Sequence, residues 1–221
     1  MKKKWLKNKG NSRLIIFFNG WGMDSCVVNH LKIGDYDLIE LNDYRVFDFT
    51  ASLFKEYSII YVVAWSLGVW VASYVLSNSS LSIQKSVAIN GTCNPVDIKE
   101  GIDPDIFRAT LKQWNQKNRE SFNDRILGRS SKETLNQSVI FNRRAIQNQK
   151  EELSVIYNHL LKKTVCDFSF DYSLIGTRDL IFSCKNQLNY WHNRSFYKII
   201  DMPHYPFLQF SCWDDILKSL K

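Results

Sequence analysis

The 221-residue sequence lacks any apolar run near the roughly 18–20 residues that a membrane span requires. Its basic opening, MKKKWLKNKGNSR, has the charge of a secretory leader. The apolar LIIFF that follows is too short for a leader core and runs straight into NGWG, so the expectation is a soluble cytoplasmic protein with no membrane partner. Cysteine pairs at CxxC spacing are also missing. The five cysteines, Cys26, Cys93, Cys166, Cys184 and Cys212, are scattered and odd in number, which argues against a disulfide framework and for a reducing compartment. There is no zinc-finger spacing, no Gly-rich RNA-binding signature and no basic helix followed by heptads, so nucleic acid is not an expected partner. No internal repeat or low-complexity linker divides the chain. Acidic residues are the scarcer charge, 22 against 29 Lys and Arg, for a net +7. That balance favours acidic partners in encounter without choosing among them.

What is present reads as one domain with a sizeable core, 45% hydrophobic and rich in aromatics. Short apolar runs recur at Arg13–Phe18, Asp37–Leu41, Ser58–Ala64, Ser86–Asn90, Phe168–Ile175 and Phe196–Ile200. Several are continuously apolar, as parallel strands covered on both faces should be. Helix-forming segments lie between them, notably Leu67–Leu76 and Cys212–Leu220, so the expected class is α/β with a mostly parallel sheet. The stretch from about residue 94 to 163 differs: it is polar and rich in Gln and Asn, with helical pieces at Asp105–Asn118, Lys132–Asn142 and Gln147–Leu161. Inserted between strand-like runs, it reads as a helical cap over one edge of the sheet.

The chemistry starts at YVVAWSLGVWVASYVL, where an apolar strand, A-W-S-L-G and an apolar helix form a nucleophile-elbow pattern around Ser66. Strand and helix backbones approach closely across such a turn, so small residues are needed two before and two after the serine, and Ala64 and Gly68 meet that need. Leu67 then opens the helix with a free backbone N–H. A second N–H for the oxyanion is expected from the loop after an earlier strand. Asn19-Gly20-Trp21-Gly22 supplies that loop, with the Trp21 N–H as the candidate and its indole as a wall of the acyl pocket.

The acid should follow the next-to-last strand. Asp179 lies just past it in IGTRD, and Asp171, the competitor, would sit within the strand and point away. The base should follow the last strand, where MPHYPF places His204 between Pro203 and Pro206. His30, His159 and His192 lack a comparable setting. The order Ser66, Asp179, His204 is that of the α/β-hydrolase triad and predicts a serine hydrolase. Such chemistry requires no metal or organic cofactor, and no metal-ligand cluster is read from the sequence.

The segments FFNGWGMD, VAWSLGVW, AINGT, IGTRD and MPHYPF together resemble the BioG family, pimeloyl-[acyl-carrier protein] methyl ester esterases of biotin synthesis, over nearly the whole chain. The resemblance implies Ser66, Asp179 and His204 as nucleophile, acid and base. It also implies acyl carrier protein bearing methyl pimeloyl-phosphopantetheine as the partner, with methanol released. With only a dozen residues before the first apolar run, the leading hairpin of larger α/β-hydrolases is not expected, leaving a truncated sheet of about six strands. Acyl carrier protein is acidic, so cap cations are docking candidates: Arg125 and Arg129 in NDRILGRS, Arg143 and Arg144 in FNRRAIQNQK. Two alternatives stay open: a general short-chain carboxylesterase or thioesterase, and a non-catalytic acyl-binding protein on a hydrolase fold. A monomer is the default assembly.

Overall fold

The computed structural model describes residues 1–128, 141, 144–162 and 166–219. Seven strands form one sheet: β1 (Lys2–Lys7), β2 (Arg13–Phe18), β3 (Asp37–Asn42), β4 (Ile59–Trp65), β5 (Lys85–Ile89), β6 (Tyr172–Arg178) and β7 (Phe196–Pro203). Their spatial order is β1-β3-β2-β4-β5-β6-β7. Every neighbouring pair is parallel except β1 with β3. The helices are α1 (Leu67–Leu76), α2 (Pro104–Gln113), α3 (Gln116–Ile126), α4 (Ile146–Leu160), α5 (Cys184–Trp191) and α6 (Trp213–Lys218).

The central strands are continuous apolar runs because both their faces are covered. Leu14 to Phe18 of β2 and Val62 to Trp65 of β4 are all buried. Helix α1 is buried nearly all round, from Leu67 to Ser73 and again at Leu76, which explains why it carries no polar face.

The sheet has one strand more than expected. Strand β1, KKKWLK, has lysine at four of its six positions and pairs antiparallel with the outer side of β3. Lysine is what edge strands use to discourage further pairing, and it hides the strand from a search for apolar alternation. Segment boundaries moved as well. The run expected as one helix over Asp105–Asn118 is two, because Trp114 is extended and Asn115 caps α3 through its side-chain oxygen, which accepts from the Asn118 N–H. The piece expected at Lys132–Asn142 lies almost wholly outside the described residues. Helix α4 takes the expected place of Gln147–Leu161 within a residue.

Strand order positions the site. From β2 the chain steps outward to β3, then returns to β4 on the other side of β2. The loops leaving β2 and β4 therefore diverge at the carboxyl edge of the sheet and leave a crevice between them, the usual place for a ligand in such sheets. Helices α2, α3 and α4, all carried between β5 and β6, pack over that edge. No helix among the described residues is long and apolar enough to cross a membrane.

Candidate active site

Ser66 sits where β4 turns into α1, with φ 58° and ψ −131°. Positive φ is sterically costly for a side-chain-bearing residue and is the mark of a turn held by its surroundings. What holds it is close backbone packing. A Cβ on Gly68 would stand 2.5 Å from both the Phe18 and Asn19 carbonyl oxygens, and one on Gly91 would stand 2.4 Å from the Ser66 carbonyl oxygen. Glycine at both positions lets α1 pass beneath the end of β2 and lets the β5 loop pass beneath the elbow.

Three polar side chains join in a line. Ser66 Oγ lies 2.9 Å from His204 Nε2, and His204 Nδ1 lies 2.8 Å from Asp179 Oδ2. All are buried, at 7%, 1% and 5% exposure for Ser66, His204 and Asp179, so the line is shielded from water on most sides. Asp179 Oδ1 accepts the N–H groups of Ile181 and Phe182 at 2.8 and 2.9 Å, and Gln187 Nε2 donates to Oδ2 at 3.1 Å. A carboxylate with this many donors is held as an acceptor, which fixes the imidazole tautomer with its proton on Nδ1 and its Nε2 lone pair toward Ser66. Phe182 stacks on the His204 ring at a centroid distance of 6.0 Å. Asp171, the competitor, precedes β6 rather than lying within it, and one of its carboxylate oxygens accepts both the N–H and the hydroxyl of Ser86 at 2.7 Å.

The Asn19–Gly22 loop lies beside the serine. Gly20 donates its N–H to its neighbour's side chain, Asn19 Oδ1, at 2.7 Å, and Gly22 donates to Glu152 at 3.2 Å. Between them, the Trp21 N–H has no acceptor among the described residues. Leu67, at the first position of α1, likewise presents an N–H that the helix cannot satisfy. The Trp21 indole forms part of the cavity wall and donates to the Gln149 carbonyl at 2.7 Å.

Above the serine is a cavity of about 390 Å³, walled chiefly by apolar side chains such as Met23, Ile102, Phe107, Phe122 and Leu153. Arg125, with Ile106 and Thr110, lines both this cavity and a smaller one of about 260 Å³, whose mixed wall includes Ala109 and Trp114 beside Gln113, Asn118 and Ser121. Arg144, expected to face a partner, turns inward instead: its side chain is 10% exposed and pairs with Glu152 and Asp43. Arg129 and Arg143 lie outside the described residues.

Several residues of the site were given no role by the sequence. Asn90 donates from Nδ2 to the Pro203 and His204 carbonyls at 2.8 and 3.0 Å and accepts from Gly176 N–H, tying the base loop to the strand that carries the acid. Trp65 Nε1 donates to the His204 carbonyl at 2.9 Å, so the residue before the serine also fixes the base loop. Gln187, Gln149 and Glu152 belong with them. Only Asn90, next to Gly91 after a strand, left a local trace.

The family model for "Pimeloyl-ACP methyl esterase BioG" matches residues 1–216. The crystal structure of BioG from Haemophilus influenzae superposes with a TM-score of 0.88 at 32% identity, covering 98% of this chain and 99% of that one. An uncharacterized protein of the same species is 33% identical over 217 residues, 96% of this chain and 97% of its own length. A malonyl-[acyl-carrier protein] O-methyltransferase of Bacteroides fragilis is 40% identical over 177 residues, 80% of this chain, but the match spans only 36% of that protein. A family match over nearly the whole chain, with a related fold of the same length, shows that the chain belongs to the BioG family of pimeloyl-ACP methyl esterases within the α/β-hydrolases.

Proposed function

We propose that this chain removes the methyl group from the far end of a pimeloyl chain carried by acyl carrier protein, with Ser66 as nucleophile, His204 as base and Asp179 as the acid that orients it. The observation that carries the reading is the buried hydrogen-bonded line Ser66–His204–Asp179 at the floor of an apolar cavity. His204 Nε2 takes the Ser66 proton as Oγ attacks the ester carbonyl, and the oxyanion is held by the N–H groups of Trp21 and Leu67. The imidazolium, stabilised by Asp179, returns the proton to the departing methoxide, so methanol leaves and an acyl-serine remains. Water, deprotonated by the same imidazole, then releases the acid and restores Ser66. Each step is a proton transfer or an acyl transfer among Ser66, His204, the ester and water.

The apolar wall suits a methylene chain. The side cavity, where Arg125, Gln113, Asn118 and Ser121 offer polar groups among apolar ones, lies next to it on the way to the arm that follows the chain, and acyl carrier protein is the partner that presents both. The Bacteroides relative is named for transfer of a methyl group to malonyl-acyl carrier protein, and a methyl ester is the group this site would take off.

The deciding experiment compares hydrolysis of pimeloyl-acyl-carrier-protein methyl ester with that of free dimethyl pimelate, for the intact protein and for Ser66→Ala. The expected result is rapid demethylation of the carrier-bound ester, a much weaker reaction with the free one, and a fall of roughly a thousandfold or more in Ser66→Ala. Equal turnover of both esters would leave a general carboxylesterase. Activity surviving in Ser66→Ala would remove the serine mechanism.

A further inference from the structure

One helix of the cap grips the loop that carries the oxyanion donor. Glu152 of α4, fully buried, accepts the Gly22 N–H at 3.2 Å on one oxygen and the Tyr44 N–H at 3.0 Å on the other, and Arg144 pairs with it on the same side as Gly22. Gln149, one turn earlier and 2% exposed, donates from Nε2 to the Gly22 carbonyl at 3.0 Å. Its own side-chain oxygen takes the Trp114 indole N–H at 3.3 Å, and its backbone carbonyl takes that of Trp21 at 2.7 Å. Both polar groups of Gly22, a residue at φ +73°, are thus held from α4, and the indole of Trp21 is held from the same turn.

We propose that Glu152 and Gln149 are positioning residues that aim the Trp21 N–H at the ester carbonyl, so that the cap assembles part of the catalytic centre as well as covering it. The proposal rests on the reading of Trp21 as an oxyanion donor. Its physical basis is that a peptide plane can be turned only if its neighbours turn. The Gly20 N–H is fixed by Asn19 Oδ1, the Gly20 carbonyl accepts the Met23 N–H at 3.3 Å, and Gly22 is fixed at both ends by α4. With those anchors in place, the peptide that bears the Trp21 N–H has one orientation. Every group hydrogen-bonded to the Glu152 carboxylate among the described residues is a donor: two backbone N–H groups and a guanidinium. Only a carboxylate accepts from all of them, so glutamine, equal in size, would set an NH₂ against at least one donor. Glu152→Gln therefore changes the loop's anchoring while the packing volume stays the same.

The test measures kcat and KM on free dimethyl pimelate for the intact protein, Glu152→Gln, Gln149→Met and Ser66→Ala. Rates are expressed per reactive Ser66, counted by end-point labelling with a serine-directed phosphonate. Losing an oxyanion donor outright costs about a hundred- to a thousandfold in kcat, and misaiming one should cost less. The expected result is a fall of about tenfold to a hundredfold in kcat for Glu152→Gln, a smaller fall for Gln149→Met, and KM within about twofold for both. Should Glu152→Gln fold poorly, per-serine counting on its folded fraction and on Gln149→Met still decides. A lowered melting temperature with unchanged kcat per reactive serine, or a change in KM alone, would reduce both residues to packing and overturn the proposal. If Ser66→Ala retained activity, the serine mechanism itself would be wrong and this inference would fall with it. Loss in Ser66→Ala beside undiminished kcat in the other two would overturn the inference alone.

Discussion

Asp179 Oδ1 is bound to two backbone N–H groups and Oδ2 to His204 and Gln187. Replacement by asparagine keeps the shape and changes the pattern. The amide oxygen must face Ile181 and Phe182, whose N–H groups have no substitute, so the NH₂ faces His204. The imidazole then accepts at Nδ1 and carries its proton on Nε2, which can no longer take one from Ser66. Asp179→Asn is expected to cost about ten-thousandfold in kcat with little change in KM, read from steady-state kinetics on the free ester. A second carboxylate behaves differently. Glu40 is fully buried beneath the oxyanion loop, and burial pushes its carboxyl above the ordinary carboxylate range despite hydrogen bonds from Asn42 and Asn19. The native protein then holds a proton that the unfolded chain has released, so stability falls as pH rises from the unfolded value through the raised native one. Glu40→Gln is expected to flatten that fall, with a larger gain in melting temperature at pH 7 than at pH 4. A gain independent of pH would show that the carboxyl does not titrate differently on folding.

At the scale of elements, the site is made by how closely β2, β4 and β5 bring their ends together. Gly68→Ala places a methyl 2.5 Å from two carbonyl oxygens of the β2 end, and neither is a flexible tip that can swing away. The elbow or the oxyanion loop must shift, so we expect a loss of about 1–3 kcal/mol in stability together with a drop in kcat, measured by denaturant unfolding and ester turnover. A drop in neither would mean that the close approach is not required. This junction was legible in sequence because its demands are local: a small residue two after the serine, a glycine pair after β2, an aspartate and a histidine in the loops after the last two strands. The five inner apolar runs and α1 were legible for a similar reason, since burial on both faces leaves continuous apolar sequence. Strand β1 was hidden by its lysines, and the break before α3 by a single capping asparagine. The grip of α4 on Gly22 joins residues 130 apart, and no spacing rule connects Glu152 to a glycine so distant. Arg144 misled for the same reason, because its acidic partners, Glu152 and Asp43, are brought to it by the fold alone.

For the whole molecule, the proposed carrier-protein reading assigns the excess of seven positive charges a role before contact and Arg125 a role at contact. Association with an acidic partner is accelerated by complementary charge and weakened by salt, since the screening length falls from about 30 Å at 0.01 M to about 8 Å at 0.15 M. A free diester, uncharged, feels none of this. The apparent KM for the carrier-bound methyl ester is therefore expected to rise severalfold between low and physiological salt, while that for dimethyl pimelate stays constant. Arg125 lines both cavities, together with Ile106 and Thr110, so on the proposed reading it is the cation beside an acyl arm that uses both. Arg125→Glu is expected to raise KM for the carrier-bound ester at low salt and to lose most of that effect at high salt, with kcat nearly unchanged. Its effect on the free ester should stay within about twofold, because rim charges act mainly on encounter. Equal damage to both substrates would mean that Arg125 acts only through the acyl cavity it lines, and the cation that meets the carrier would then have to lie elsewhere on the cap.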